Sequence, residues 1–599
     1  MKHPHIATAK PVICPEKQST SSSEESPNSW GFSDTKYRLT PEGDVEITGA
    51  RYSCSGQHLP SLLPWARSII GVEIPTDVKP IGYPPPIPTA IGNAGFSDAL
   101  GGCLRDDQIS TDGEVRLRHG HGHALPEMYS VNGNGIERIP DLVVFPEDTG
   151  QVKCIVDAAS CHGVCLIPYG GGTNVSLALQ CPADEKRCIV SVDMSRMNRI
   201  RWVDIVNHLA VIEAGAVGRD IAATLGQYDF IFGHEPDSVE FSTLGGWIAT
   251  KASGMKRNRY GNIEDLVLEI EMVLPSGVVN LSSSSTPAAP RQSVSFNPCA
   301  MMFGSEGNLG IITAALVKVA RKPPLQRHQS IVFPDFNTGL QFMYEVTRAG
   351  VLPASIRLVD NLQFQLSQAL KPAGGGLFEK LRSEIQRLYV TQVKGFDTQN
   401  MVVCTLVCEG SQQEVQAQEQ TIGTIANFLG GLAAGAENAQ RGYEMTFTIA
   451  YIRDFFMGLS IFAESFETSC PWSNAAHLCE KTKARVVHEH RARRLQGNPF
   501  IICRVSQAYE TGVTLYFYLA LYLEGVANPA GVYAEIEEAA RDEILQCGGS
   551  LSHHHGVGKA RKIFYPRVMS STMSQWNWQV KESIDPANIL GCGNMPPKQ

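Results

Sequence analysis

Residues Pro168 to Ser176 read Pro-Tyr-Gly-Gly-Gly-Thr-Asn-Val-Ser and follow the apolar run Val164-Cys165-Leu166-Ile167. Upstream, Val152, Ile155, Val156 and Ala159 fall at helical spacing, so the sequence predicts helix, buried strand and glycine loop in that order. Three consecutive glycines place no side chain between backbone and ligand, and their successive N–H groups can form a nest for an anion. A diphosphate is the guest such a loop suits. The loop lacks the Lys-Ser/Thr of a triphosphate P-loop and is not the G-x-G-x-x-G dinucleotide pattern. Glycine clusters mark turns in general, so on the glycines alone a plain strand-to-loop turn fits equally well.

At 599 residues the chain exceeds what one core supports and is expected to divide into two or more domains. A net charge of −9 carries no basic footprint for nucleic acid. The longest apolar stretch, around Leu515 to Leu523, falls short of the ~20 residues that span a bilayer, so any membrane contact is expected to be peripheral. No signal peptide is expected at the N-terminus, and the 16 cysteines are expected to be reduced thiols in an intracellular compartment. Cys154, Cys161 and Cys165 cluster before the glycine loop, where buried small hydrophobes explain them better than metal ligands do.

Residues 1–29, rich in Ser, Pro and Glu, are read as disordered, and 30–135 as a mainly helical region with a few short strands. Within it, Lys79 to Gly102 is Pro/Gly-rich and reads as an irregular connector. From 136 to 321 the pattern is α/β: Leu268, Ile270 and Met272 alternate with Glu269 and Glu271 in a strand closed by Pro275-Ser276-Gly277, and Gly310-Ile311-Ile312 leads into another. Ser282 to Pro290 reads as a surface loop. Lys322-Pro323-Pro324 ends this region. Residues 322–525 mix helices with strands such as Met401 to Cys408 and Val513 to Leu523, and 526–599 carry a triple histidine.

Further stretches extend the pattern. His234-Glu235-Pro236-Asp237-Ser238-Val239-Glu240-Phe241-Ser242-Thr243-Leu244-Gly245-Gly246 is followed by Lys251-Ala252-Ser253-Gly254, Tyr260-Gly261-Asn262 and Gly304-Ser305-Glu306-Gly307-Asn308-Leu309-Gly310. With Pro353 to Arg357, Ala450 to Asp454, Glu464 to Ser469 and Gly549 to Lys559, this series resembles the vanillyl-alcohol oxidase / p-cresol methylhydroxylase superfamily, and within it the alkyldihydroxyacetonephosphate synthase family of ether-lipid enzymes. The resemblance runs from about Trp30 to Gly591. It implies an α+β fold: a two-subdomain FAD-binding domain and a cap domain whose antiparallel sheet is covered by helices.

The resemblance implies non-covalent FAD held by Pro168, Tyr169, Gly170, Gly171, Gly172, Thr173 and Asn174, by Asp237, Ser238, Val239, Glu240, Phe241, Ser242 and Thr243, by Lys251, Ala252, Ser253 and Gly254, and by Glu306, Gly307, Asn308, Leu309, Gly310, Ile311 and Ile312. Tyr169 and Asn174 stand where other members carry different residues. The implied reaction exchanges the acyl chain of acyl-dihydroxyacetone phosphate for a long-chain fatty alcohol through a flavin N5 adduct, with no net redox change. Arg357 and Arg453 are the implied phosphate clamp, since a guanidinium holds phosphate bidentately; a structural pairing with Asp360 or Asp454 is the alternative. By the resemblance Tyr516 corresponds to the family's catalytic tyrosine; because Tyr516 and Tyr518 share a strand face, a core tyrosine is the alternative. His553, His554 and His555 suit proton transfer near neutral pH. In an extended segment their side chains alternate, so three are not expected to bind one metal or all to reach substrate.

His119, His121 and His123 alternate with glycines and read as a loop near the substrate entrance, a metal being conceivable. Phe455, Phe456, Leu459, Ile461 and Phe462 are candidates for an acyl tunnel or for ordinary helix core. The resemblance further implies a homodimer in peripheral contact with a peroxisomal or glycosomal membrane. Arg51-Tyr52, five residues and His58-Leu59 match a type 2 peroxisomal signal, but amid Leu62, Leu63 and Trp65 the match reads as chance. Two other readings stay open: a flavoenzyme oxidising a 2-hydroxy acid such as D-lactate, and a non-catalytic FAD-binding scaffold subunit.

Overall fold

The computed structural model describes residues 24–76, 82–281, 289–290, 293, 297, 299–372 and 395–598. The chain divides into two compact units: one contains Gly82–Lys322 and His554–Gln599, the other Ser21–Ile81 and Pro323–His553. The passage at Lys322 is the Pro-marked one. The passage near 81 falls in the Pro/Gly-rich stretch that begins at Lys79, and the one at 553 falls within the triple histidine.

In the first unit the helix Thr149–His162 starts at Asp148, whose carboxylate accepts from the Gln151 N–H at 2.8 Å, and stops at Gly163 in the left-handed conformation. Its buried face is Val152, Ile155, Val156 and Ala159, packed on Leu166, Val190 and Val192. Each such aliphatic chain contributes about 1.5–3 kcal/mol when fully buried. Leu166 lies on strand Cys165–Tyr169, which runs parallel to Ile189–Asp193 in a four-stranded sheet. A second, five-stranded antiparallel sheet holds Val267–Leu274 and Ile311–Lys318 as neighbours.

A buried ion pair closes this unit from the C-terminal side. Lys581 Nζ contacts Asp585 at 2.5 Å and donates to the Asn308 and Leu590 carbonyls, while Asp585 accepts from the Ile589 and Leu590 N–H groups. Lys581→Met leaves Asp585 charged and buried, and is expected to destabilise this unit by about 3–5 kcal/mol in urea unfolding. A loss under about 1 kcal/mol would show that the pair is dispensable.

The second unit is built on a seven-stranded antiparallel sheet, with Leu325–Phe333, Val402–Gly410, Ser355–Val359, Phe500–Ala508, Gly512–Tyr522 and Ile461–Pro471 as its long members in spatial order. Helices Phe336–Arg348, Gln412–Phe428, Ala436–Met457, Ala475–Ala492 and Pro529–Gln546 pack on it. Burial is near-continuous along Gly512–Tyr522, as expected of a strand covered on both faces, and is interrupted along the edge strand Ile461–Pro471. No helix among the described residues is long and apolar enough to cross a membrane.

Several sequence expectations change. The supposed connector 79–102 contains the helix Ala94–Leu100, because Asn93 caps it and Phe96 and Leu100, one turn apart, bury in the core of the first unit; residues 79–81 lie outside the described residues. The expected disorder of 1–29 lies outside them for 1–23, whereas Glu25 bridges Phe32 and Ser26 N–H donates to the Gly31 carbonyl. The expected surface loop Ser282 to Pro290 lies outside them at 282–288. Cys154 is not a free thiol: it forms a disulfide with Cys103, Cα–Cα 6.6 Å. Arg51 stacks 4.0 Å from the Phe32 ring and pairs with Asp34, and His58–Leu59 is a strand, so the apparent targeting motif is part of the folded second unit.

Candidate active site

In the first unit, strand Cys165–Tyr169 delivers the chain to Gly170, Gly171 and Gly172 at its carboxyl end, the edge where open α/β sheets bind ligands. A Cβ on Gly170 would strike Thr243 Oγ1, one on Gly171 the Phe241 carbonyl, and one on Gly172 the Tyr169 hydroxyl. Gly172 alone of the three also has a positive φ, +69°. The glycine loop therefore lies directly along the 241–243 segment. That segment is a tight turn: the Phe241 and Ser242 N–H groups both donate to the Ser238 carbonyl, and Trp247 Nε1 donates to Ser242 Oγ at 2.8 Å. Thr243 then caps the helix Leu244–Thr250.

Lys251 ends that helix at φ +54°, with its amine turned toward Glu264 at 3.9 Å. Ser253 Oγ donates to Asn262 Oδ1 at 2.6 Å, and a Cβ on Gly254 would come within 2.6 Å of the Glu235 nitrogen. Glu306 differs from expectation: its buried carboxylate accepts from the Val557 and Gly558 N–H groups at 3.0 Å, so the side chain holds the loop after the histidines. Burial raises its pKa. Gly307, Asn308, Leu309 and Gly310 then lead into the strand that starts at Ile311 and Ile312.

Around these segments Ser176 Oγ, Ser305 Oγ, Asn308 Oδ1 and both ring nitrogens of His234 are buried without a hydrogen-bond partner among the described residues. Leaving each so costs about 1–3 kcal/mol. A dinucleotide, rich in phosphate oxygens, hydroxyls and ring edges, supplies what they lack, and the stripped loop leaves its backbone accessible to it; these residues fit FAD. His234 packs 4.8 Å from the Trp247 ring, and burial, aided by His554, lowers its pKa to about 3. It is neutral at physiological pH.

The His119–His123 segment supports the same loop. His119 bridges the Val115 carbonyl and Asp193, both at 2.7 Å, with its ring 4.3 Å from that of Tyr169. The His123 N–H donates to the Asn174 carbonyl at 2.8 Å. These histidines lie along the glycine loop, with His119 Nε2 taken up by Asp193 and His121 Nδ1 by the Gly122 carbonyl.

In the second unit, strand register assembles the remaining candidates. Val359, Arg504, Tyr516 and Glu467 stand opposite one another across four neighbouring strands. Alternation puts Arg357, Tyr518 and Ser465 on the same sheet face. Contacts agree: the Arg504 guanidinium lies 4.6 Å from the Tyr516 ring and 5.3 Å from that of Tyr518, and the Tyr516 hydroxyl meets Ser465 Oγ at 3.0 Å. Arg357 donates to Thr446 Oγ1 at 2.9 Å on the covering helix and does not take the Asp360 pairing, since Asp360 binds Lys483 and the Cys503 N–H. Arg453 does pair with Asp454, at 2.9 Å, and lies 3.8 Å from Glu464.

The three histidines part company. His553 belongs to the second unit: its N–H donates to Glu467 and its Nε2 meets the Tyr509 hydroxyl at 2.6 Å. His554 and His555 belong to the first, with ring centroids 4.5 Å apart. The expected alternation does not apply, because 553–555 are bends and not a strand. Phe455, Leu459, Ile461 and Phe462 are buried, Phe455 facing Tyr37 at 6.5 Å. Arg504, Glu467, Tyr509 and the unpartnered His234 were missed as functional candidates, because cross-strand register and loop contacts leave no local pattern.

Residues 140–282 match the FAD binding domain model, and residues 322–595 match that of the FAD linked oxidases, C-terminal domain. The chain is 38% identical to the alkyldihydroxyacetonephosphate synthase of Caenorhabditis elegans over 95% of its own length and 94% of that protein. The chain belongs to the alkyldihydroxyacetonephosphate synthase family. It is an FAD-dependent enzyme, with a fold of the α+β kind expected. The Trypanosoma brucei brucei member of the family is 32% identical over 85% of this chain and 82% of that one. A solved alkyldihydroxyacetonephosphate synthase structure superimposes with a TM-score of 0.81 at 28% identity, covering 95% of this chain and 98% of the other.

Proposed function

We propose that this enzyme exchanges the acyl chain of acyl-dihydroxyacetone phosphate for a long-chain fatty alcohol, giving the ether and a fatty acid with no net redox change. The observation that supports it most is the sheet face of the second unit, where two buried arginines, Arg357 and Arg504, share one surface with Tyr516 and with Glu467, the anchor of His553. Bound flavin supplies the nitrogen-centred chemistry that lets the acyl group leave and the alcohol enter. Arg357 binds the substrate phosphate, with Arg453 as the second guanidinium, held in orientation by Asp454. Tyr516, steadied by Ser465, holds the proton that the substrate carbon gives up and takes back. His553 Nε2, positioned by Tyr509, and His554 serve the proton traffic of the departing carboxylate and incoming alcohol. The same reading places the enzyme as a homodimer in peripheral contact with a peroxisomal or glycosomal membrane.

Arg357→Lys tests the clamp. A point charge does not reproduce a bidentate grip, so KM for the phosphorylated substrate is expected to rise by ~10-fold or more while FAD content is unchanged. Arg453→Lys is expected to lose activity in the same assay; wild-type kinetics would leave Arg453 only its structural pairing with Asp454.

A further inference from the structure

Cys165 and Cys592 come from distant parts of the chain and meet in the first unit. Their sulfurs and a carboxylate oxygen of Glu185 all lie within 4.8 Å of one another. Both thiols are buried, and Cys181 belongs to the same buried cluster. The Cys165 thiol donates to Glu185 Oε2 at 3.4 Å. In a tetrahedral zinc site, bonds of about 2.3 Å to sulfur and 2.0 Å to oxygen set the sulfur–oxygen edge at about 3.5 Å. The side chains therefore already stand at the spacing of two vertices of such a site.

The surroundings add what a ligating carboxylate requires. Arg187 Nε donates to Glu185 Oε1 at 3.0 Å and a terminal guanidinium nitrogen donates to Oε2 at 2.8 Å, fixing the carboxylate plane with Oε2 against the Cys165 sulfur. Two thiolates and one carboxylate around a divalent ion leave one net negative charge, which Arg187 balances. The backbone is tied at the same place, because the Leu166 N–H donates to the Ile589 carbonyl at 2.7 Å and Leu166 bridges Leu590. A metal there would rivet the C-terminal segment to the strand that carries the glycine loop.

We propose that Cys165, Glu185 and Cys592 form a three-residue site for a thiophilic divalent cation of the zinc class. Binding displaces the two thiol protons to solvent and involves no redox change.

The test uses the full-length, flavin-loaded protein, reduced and freed of metal by chelation. Zn²⁺ is titrated against a chromophoric chelator, and Cd²⁺ is added separately to read thiolate-to-metal charge transfer. Wild type is expected to bind one equivalent of Zn²⁺ more than Cys592→Ser, with a cadmium–thiolate band that Cys592→Ser and Cys165→Ser both lose. Glu185→Gln, which keeps both thiols, is expected to weaken binding by ~10-fold or more. The FAD-to-protein ratio of each variant confirms that it is folded. Equal zinc stoichiometry and affinity in wild type and all three variants would overturn the proposal, as would a Cys165–Cys592 disulfide found by mass spectrometry as the only form of the pair.

Discussion

Gly171→Val is expected to yield a protein without flavin. A Cβ at this position meets the backbone carbonyl of Phe241 before it reaches any ligand, and a carbonyl within a tight turn has no rotamer by which to yield. The loop must then move away from the 241–243 segment, and both lose their register as one cradle. A displacement costing ~3 kcal/mol weakens binding by ~10²-fold, enough to lose FAD during purification. The flavin-to-protein absorbance ratio measures this, with circular dichroism to confirm folding. Gly226→Ala, at a helix end with open space around it, is the control and should keep its flavin. Stoichiometric FAD in Gly171→Val would mean that the cradle lies elsewhere.

Tyr516→Phe carries the second large effect. The substitution removes one oxygen, which meets Ser465 Oγ, and leaves the ring under Arg504 in place. Fold, FAD content and substrate affinity should change little. Turnover should fall by ~10²-fold or more, the scale of losing a positioned acid or base. Ser465→Ala, which leaves the hydroxyl but removes its anchor, should fall between the two. A Tyr516→Phe enzyme turning over at the wild-type rate would take the tyrosine out of the mechanism and leave the histidines to carry the proton.

What local pattern governs was readable in advance. Val152, Ile155, Val156 and Ala159 are periodic, and the three glycines follow a short apolar run, so the order helix, strand and loop needs only neighbouring residues to be seen. What depends on contacts between distant segments was not readable. Gly171 is required by the Phe241 carbonyl and not by its own torsion angles, while the positive φ belongs to Gly172. Glu306 lies within a flavin-binding stretch by resemblance yet spends its carboxylate on Val557 and Gly558. Arg504 joins Tyr516 only through strand register, and Cys165 finds Cys592 only through the returning C-terminal segment. The path of the triple histidine is hidden for a related reason: side-chain alternation holds in strands, and residues 553–555 bend.

Exchange without net redox is read from the stoichiometry of a single anaerobic reaction. Purified protein is given acyl-dihydroxyacetone phosphate labelled in the acyl chain and a long-chain alcohol carrying a second label, with a redox dye present as a reporter. One labelled fatty acid is expected for each labelled ether formed, with the dye left oxidised. Dye reduction without ether formation, above all with D-lactate in place of the phosphorylated substrate, would contradict it.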